Sequence, residues 1–330
     1  MDSFRLVRYS TVFLFALAFH TSVGSNYDEK LKTIKLFYYS QRQEQEVDGE
    51  IFEPLEIDPH KPLKLVIHGW NSNRDEKSII PIRTGYLLQN KCNLLMADWS
   101  EVANIRYLQA RTLVQKIGLR IGQLLANFTE GAGIEHGQVH VIGHSLGAHI
   151  AGKVGRYFDG KLSRVTALDP AGPFFDKNSK DAISSDVAQF VDVIHTDGEI
   201  LGAQVPLGHA DFFPNGGVPP QPGCEKLDLL TLHGCSHLRS TGFFAESIQQ
   251  PNNFIACACS MEEIANKRDS CLPDYREKSL RECVTMGEAV DHSVRGTFFT
   301  VTSAVPPYGL GNHTQIEPHI KFSSQGQSTQ

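Results

Sequence analysis

The sequence predicts an α/β fold, a mostly parallel central sheet flanked by helices in a single domain, and three observations carry that expectation. Short apolar runs recur without polar alternation, at Leu63 to His68, Asn93 to Asp98, Val139 to Gly143, Val165 to Leu168 and Phe190 to His195. Runs of that length and uniformity are strands covered on both faces, as in a parallel sheet. Segments with helical periodicity lie between them, and strand–helix alternation is the α/β pattern. The composition agrees: of 330 residues 41% are hydrophobic and 21% charged, enough for a core and too apolar for disorder. A net charge of −6 with no Lys/Arg run excludes electrostatic binding of nucleic acid.

The chain opens on Arg5 and Arg8, the apolar run Thr11 to Phe19, and the small residues Ser22, Gly24 and Ser25. A basic start, a short apolar core and a small-residue exit predict a secretory leader over 1–24. That core is too short to cross a hydrocarbon layer of roughly 30 Å. Secretion makes disulfides the default for the seven cysteines, Cys92, Cys224, Cys235, Cys257, Cys259, Cys271 and Cys283. The odd count leaves one over, and Cys257-Ala-Cys259 lacks the spacing and His partner of a zinc site. No metal and no cofactor is expected. Asn127-Phe128-Thr129 and Asn312-His313-Thr314 are sequons, so Asn127 and Asn312 are glycosylation candidates.

The body is expected over 25–305. Between the second and third apolar runs, Ile105, Leu108, Leu113, Ile117, Ile121, Leu124, Leu125 and Phe128 recur at helical spacing, predicting a helix from Asn104 to Phe128. A second helix, Leu146 to Phe158, follows the third run directly. From 306 to 330 the chain turns polar and Gln/Ser-rich, the composition of a loosely held tail.

The chemistry is concentrated where the third run meets the second helix. Gly143-His144-Ser145-Leu146-Gly147 is a Gly-x-Ser-x-Gly turn. Its glycines let a strained serine stand exposed above a sheet edge with a helix N-terminus behind it. Ser145 is the candidate nucleophile. It needs a base, and the base an orienting carboxylate, in the order Ser, acid, His. Asp169 and Asp197 each follow a strand, and spacing does not separate them. Seven histidines follow Asp169; His313 and His319 sit in the tail, while His195, His209, His233 and His292 are open to ordinary structural roles. His237 stands just after a cysteine, on what should be a pinned loop, which suits a base that must hold its position. An oxyanion needs backbone donors, and the N–H groups of Leu146 and of Trp70, in His68-Gly69-Trp70, are the candidates.

These residues resemble the pancreatic lipase family of secreted lipases and phospholipases A1. The resemblance runs through Ile67-His68-Gly69-Trp70, Asp98-Trp99-Ser100, Gly143 to His149, Ala167-Leu168-Asp169-Pro170-Ala171-Gly172-Pro173, Val191 to Asp197, Asp211 to Gly217 and Cys235-Ser236-His237-Leu238-Arg239-Ser240. It implies an α/β-hydrolase fold, Ser145, Asp169 and His237 as a triad, Trp70 and Leu146 as oxyanion donors, and a late pair of disulfides joining Cys257 and Cys259 to Cys271 and Cys283. It further implies a lid between Cys224 and Cys235. Here that lid is only Glu225 to Gly234, and the loop Gly198 to Leu207 is also short, as in the phospholipase A1 branch that includes insect and venom members. Leu227, Leu229, Leu230 and Leu232 would form either a lipid-touching edge or ordinary packing. Ser184 and Val187 stand where the family's calcium carboxylates are expected.

The resulting expectation is a secreted phospholipase A1, acting on lipid at a membrane or micelle interface without a colipase-type partner. A triacylglycerol or galactolipid lipase is the first alternative, and a non-catalytic lipid-binding or yolk-type protein the second.

Overall fold

The computed structural model describes residues 27–47, 57–176, 179–231, 234–266, 271 and 282–311. The leader, Asn312, His313, His319, Leu232 and His233 lie outside them. Among the described residues one sheet of eleven strands forms the centre. Its heart is parallel: β3 (Leu63–Ile67), β4 (Asn93–Asp98), β5 (Val139–His144), β6 (Arg164–Leu168), β7 (Phe190–Ile194), β8 (Ala210–Pro214) and β11 (Gly296–Thr300). They run in the order β4-β3-β5-β6-β7-β8-β11. Antiparallel pairs close both ends. β1 (Lys35–Tyr39) and β2 (Glu44–Val47) extend the sheet beyond β4; β9 (Ile255–Ala258) and β10 (Cys283–Thr285) extend it beyond β11. All five strands expected from the sequence are present within a residue at each end.

The uniform apolar runs arise because both faces are covered. Along β3, Leu63, Leu65 and Ile67 join one core cluster and Val66 the other, the two-residue alternation of a pleated strand. The first cluster is roofed by α5 (Val114–Ala132) and α6 (Leu146–Tyr157), through Ile117, Ile121 and Leu125 from one and Ile150 and Val154 from the other. The second is covered by α2 (Ile80–Gln89) and α8 (Gly234–Gln249), through Tyr86, Phe243, Phe244 and Ile248.

The helix expected over Asn104 to Phe128 is three pieces. α3 (Ser100–Ala103), α4 (Tyr107–Thr112) and α5 are separated by turns at Asn104 and Leu113, and α5 runs on to Ala132. The break has a cause: Tyr107 is turned inward and its hydroxyl donates to the Pro173 carbonyl at 2.9 Å, tying α4 to the turn after β6. Two further short α-helices are α1 (Tyr27–Lys32) and α9 (Met261–Asn266), with α7 (Glu225–Thr231) discussed below. Contacts continue past the boundary expected at 305. Glu246 accepts the Tyr308 and Gly309 N–H groups at 2.6 and 2.8 Å, and Tyr308 packs edge-on against Phe243. The Gly311 N–H likewise donates to the Asn253 carbonyl at 2.8 Å.

Candidate active site

Parallel strands deliver their C-terminal ends to one edge of the sheet, and the candidate residues gather there. β5 ends at His144, Ser145 turns at φ 57° and ψ −122°, and α6 begins at Leu146. A positive φ on a non-glycine residue costs about 1–3 kcal/mol and persists only where its surroundings enforce it. Here the Ser145 N–H donates to the Leu168 carbonyl at 2.9 Å, and the Ser145 carbonyl accepts from the Ala171 N–H at 3.2 Å. The flanking glycines are required by space. A Cβ on Gly143 would fall 2.2 Å from the Gly147 carbonyl oxygen, and one on Gly147 would fall 2.4 Å from that of His68.

Asp169 stands on the neighbouring strand end, fully buried, with φ 43°. Its Oδ1 accepts the N–H groups of Thr196 and Asp197 at 2.7 and 3.0 Å, and its Oδ2 lies 2.6 Å from Nδ1 of His237. A carboxylate only accepts, so the imidazole proton sits on Nδ1 and Nε2 is left as a lone-pair base. Asp197 makes no such contact. Among the described residues neither of its carboxyl oxygens has a hydrogen-bond partner, although the side chain is fully buried. Burial, with the nearby Asp169 and Asp228 carboxylates adding to it, pushes its pKa up to about 10. A neutral acid cannot balance an imidazolium. Geometry thus separates the two aspartates that spacing left level.

His237 does not ride a pinned loop; it lies in the first turn of α8, immediately behind the Cys224–Cys235 disulfide. Its carbonyl accepts from His144 Nε2 at 3.3 Å, and burial holds His144 well below the ordinary histidine range, hence neutral. The other described histidines after Asp169 are accounted for. His195 is satisfied by Ala203 and Asp211, His209 accepts the Val191 N–H, and His292 stacks on Phe190.

The loop carrying Trp70 crosses directly over the turn. A Cβ on Gly69 would lie 3.1 Å from Ser145 Cβ. The loop is fixed from behind: the Trp99 indole donates to the His68 carbonyl at 2.9 Å, the Trp99 N–H to His68 Nε2 at 3.1 Å, and the Trp70 indole to the Ile105 carbonyl at 2.7 Å. The backbone beside Trp70 thus passes close to Ser145, which Leu146 follows directly, and these two N–H groups remain the candidate oxyanion donors.

Ser184 and Val187 do not fit a calcium ion. Val187 is a buried apolar side chain, and the Ser184 hydroxyl is engaged by Arg156 and Asp186. No step below involves a metal.

The remaining test of identity is comparison with known proteins. A family model described as Lipase matches residues 28–308. The chain belongs to this lipase family. The pancreatic triacylglycerol lipase of Oryctolagus cuniculus is 32% identical over 276 residues, 77% of this chain and 58% of that one. Pancreatic lipase-related protein 2 of Mus musculus is 33% identical over 292 residues, 81% of this chain and 58% of that one. The chain thus spans less than two thirds of the length of these relatives. Among solved structures, an alpha/beta hydrolase enzyme from a deep-sea metagenome library is a distant likeness, with a TM-score of 0.36 and 15% identity over 64% of this chain and 73% of that one.

Within this family frame, the parts left open by the sequence fall into place. The late disulfides are Cys257–Cys283 and Cys259–Cys271, and Cys92 is a free thiol beside β4. The lid segment is one short helix, α7. Leu229 and Leu230 are about four-fifths exposed, at 81% and 80%, and Leu227 is half exposed. Of the two roles open to them, packing is excluded for Leu229 and Leu230. The Gly198 to Leu207 loop is bonded to the turn after Asp169, through the Gly172 N–H to the Leu201 carbonyl and the Ala203 N–H to the Pro170 carbonyl. Sequence reasoning missed Asp228, inside the lid clasp, and Ser236, just beyond it, polar residues that the fold buries together. A lone Asp in a Leu-rich helix carried a weak signal only.

Proposed function

We propose that this protein is a secreted serine carboxylic-ester hydrolase of glycerolipids, a phospholipase A1 releasing the sn-1 fatty acid. The observation that supports the activity most is the Asp169–His237 hydrogen bond set beside the strained Ser145 turn. Ser145 Oγ attacks the ester carbonyl while His237 Nε2 takes its proton. Asp169 holds the ring and stabilises the imidazolium, and the Trp70 and Leu146 N–H groups receive the oxyanion. The tetrahedral intermediate collapses as His237 protonates the leaving alcohol, giving an acyl-enzyme. Water, deprotonated by the same histidine, then releases the fatty acid.

The preference for phospholipid rests on the lid. The described lid is a seven-residue helix, short enough to suit a site that admits a polar headgroup. The three disulfides suit an oxidising, extracellular setting, and among the described residues no helix is long and apolar enough to cross a membrane. A triacylglycerol lipase is the second reading, favoured by the relatives, which include pancreatic triacylglycerol lipases of several mammals. The activity itself is tested with a fluorophosphonate probe. Wild-type protein should be labelled stoichiometrically at Ser145 and the Ser145→Ala variant not at all; equal labelling of the two, or none of either, would refute the reading.

A further inference from the structure

Asp228 is the one buried side chain of α7, at 3% exposure, on a helix whose leucines face solvent. Within the helix, apolar packing therefore does not hold the lid down; beside the Cys224–Cys235 disulfide, a carboxylate does. Asp228 Oδ1 accepts the Ser236 N–H at 2.9 Å, and its Oδ2 accepts the Ser236 hydroxyl. Ser236 is the residue immediately before His237 and lies in the first turn of α8, where backbone N–H groups have no intrahelical acceptor and negative charge is favoured. The Ser236 oxygen in turn accepts the Gln221 N–H at 2.7 Å. Gln221 is bound to Pro214 and Val218 carbonyls at 3.0 and 3.1 Å and to Asn215 at 2.8 Å, and Asn215 joins Thr302 at 2.8 Å. A continuous buried chain of hydrogen bonds thus runs from the ends of β8 and β11, through Ser236, to the lid.

We propose that Asp228 is a positioning residue for His237, fastening the lid helix and the candidate base into one unit; this rests on reading His237 as the base. Without the carboxylate, the Ser236 N–H would be buried without an acceptor and its hydroxyl without a recipient, an imbalance relieved by moving the first turn of α8. Proton transfer is sensitive to such movement because the ring must meet both Ser145 and Asp169. The lid of this protein is accordingly a fixed wall whose attachment tunes turnover rather than a flap that swings.

The test uses p-nitrophenyl butyrate, a water-soluble ester, so that lipid contact by the lid does not enter. Active sites are counted with the fluorophosphonate. Asp228→Ala should lower kcat per titrated site by about tenfold or more while KM stays within about twofold, the pattern of a misplaced catalytic group. Asp228→Asn keeps an acceptor for the Ser236 N–H and should recover most of that loss. Ser236→Ala should lower kcat in the same sense, and adding it to Asp228→Ala should cost less than the sum of the two. A kcat for Asp228→Ala within about twofold of wild type, a loss confined to KM, or an Asn variant as impaired as the Ala variant would overturn the proposal. Should Asp228→Ala not fold, the Asn and Ser236→Ala variants decide alone. A wild-type protein that the fluorophosphonate does not label would refute the base assignment itself, whereas a labelled wild type with an unaffected Asp228→Ala refutes only the positioning role.

Discussion

Two buried aspartates lie side by side at the candidate site and behave in opposite ways. Asp169 is met by two backbone donors and an imidazole; Asp197 is met by none among the described residues. Burial, with the Asp169 and Asp228 carboxylates nearby, holds the Asp197 carboxyl neutral well above the ordinary carboxylate range in the folded protein, whereas it ionises near 3.8 once unfolded. Its raised folded pKa makes its contribution to stability full below about pH 4 and progressively lost as the pH rises above that. Asp197→Asn, neutral throughout, should therefore match wild type in Tm near pH 4 and exceed it by several degrees at pH 8 to 9. Superimposable Tm–pH curves in a thermal melt series would contradict this. Asp169→Asn should lower kcat by about 10⁴, because the amide imposes the wrong tautomer on His237.

At the scale of elements, the strand-turn-helix around Ser145 and the strand ends bearing Asp169 and Trp70 were legible in the sequence. Glycine spacing and uniform apolar runs report backbone constraints that are local. The helix breaks at Asn104 and Leu113 were not, since they depend on Tyr107 reaching Pro173, 66 residues on. Nor was the helical setting of His237, because its cysteine neighbour signalled a clasp without revealing that a helix starts there. The lid illustrates the same limit. Its leucines could equally have packed inward, and only the burial of Asp228 in their place turns them outward. That exposure gives a prediction: Leu229→Ser with Leu230→Ser should leave Tm and turnover of a soluble ester unchanged while lowering turnover on mixed phospholipid micelles severalfold. Equal losses on both substrates would assign the leucines to structure.

Across the whole molecule, stability and chemistry occupy opposite edges of the sheet. At the edge away from Ser145, the Arg164 guanidinium grips Asp192 through two bonds of 2.8 Å, and Thr166 donates to the same carboxylate at 2.7 Å. Asp192→Ala would strand a buried guanidinium, so urea unfolding should show a loss of about 3–5 kcal/mol. The rate per titrated active site should not change; a fall in both would couple the two edges. The central claim, that a lipase scaffold with a short, fixed lid works on phospholipid, is tested most directly by initial rates of fatty-acid release. Phosphatidylcholine labelled at sn-1 or sn-2 is assayed beside triolein, with Ser145→Ala as the control. The account predicts sn-1 release faster than triolein hydrolysis, and neither in the Ser145→Ala variant. Faster turnover of triolein, preferential sn-2 release, or activity that survives the loss of Ser145 would contradict it.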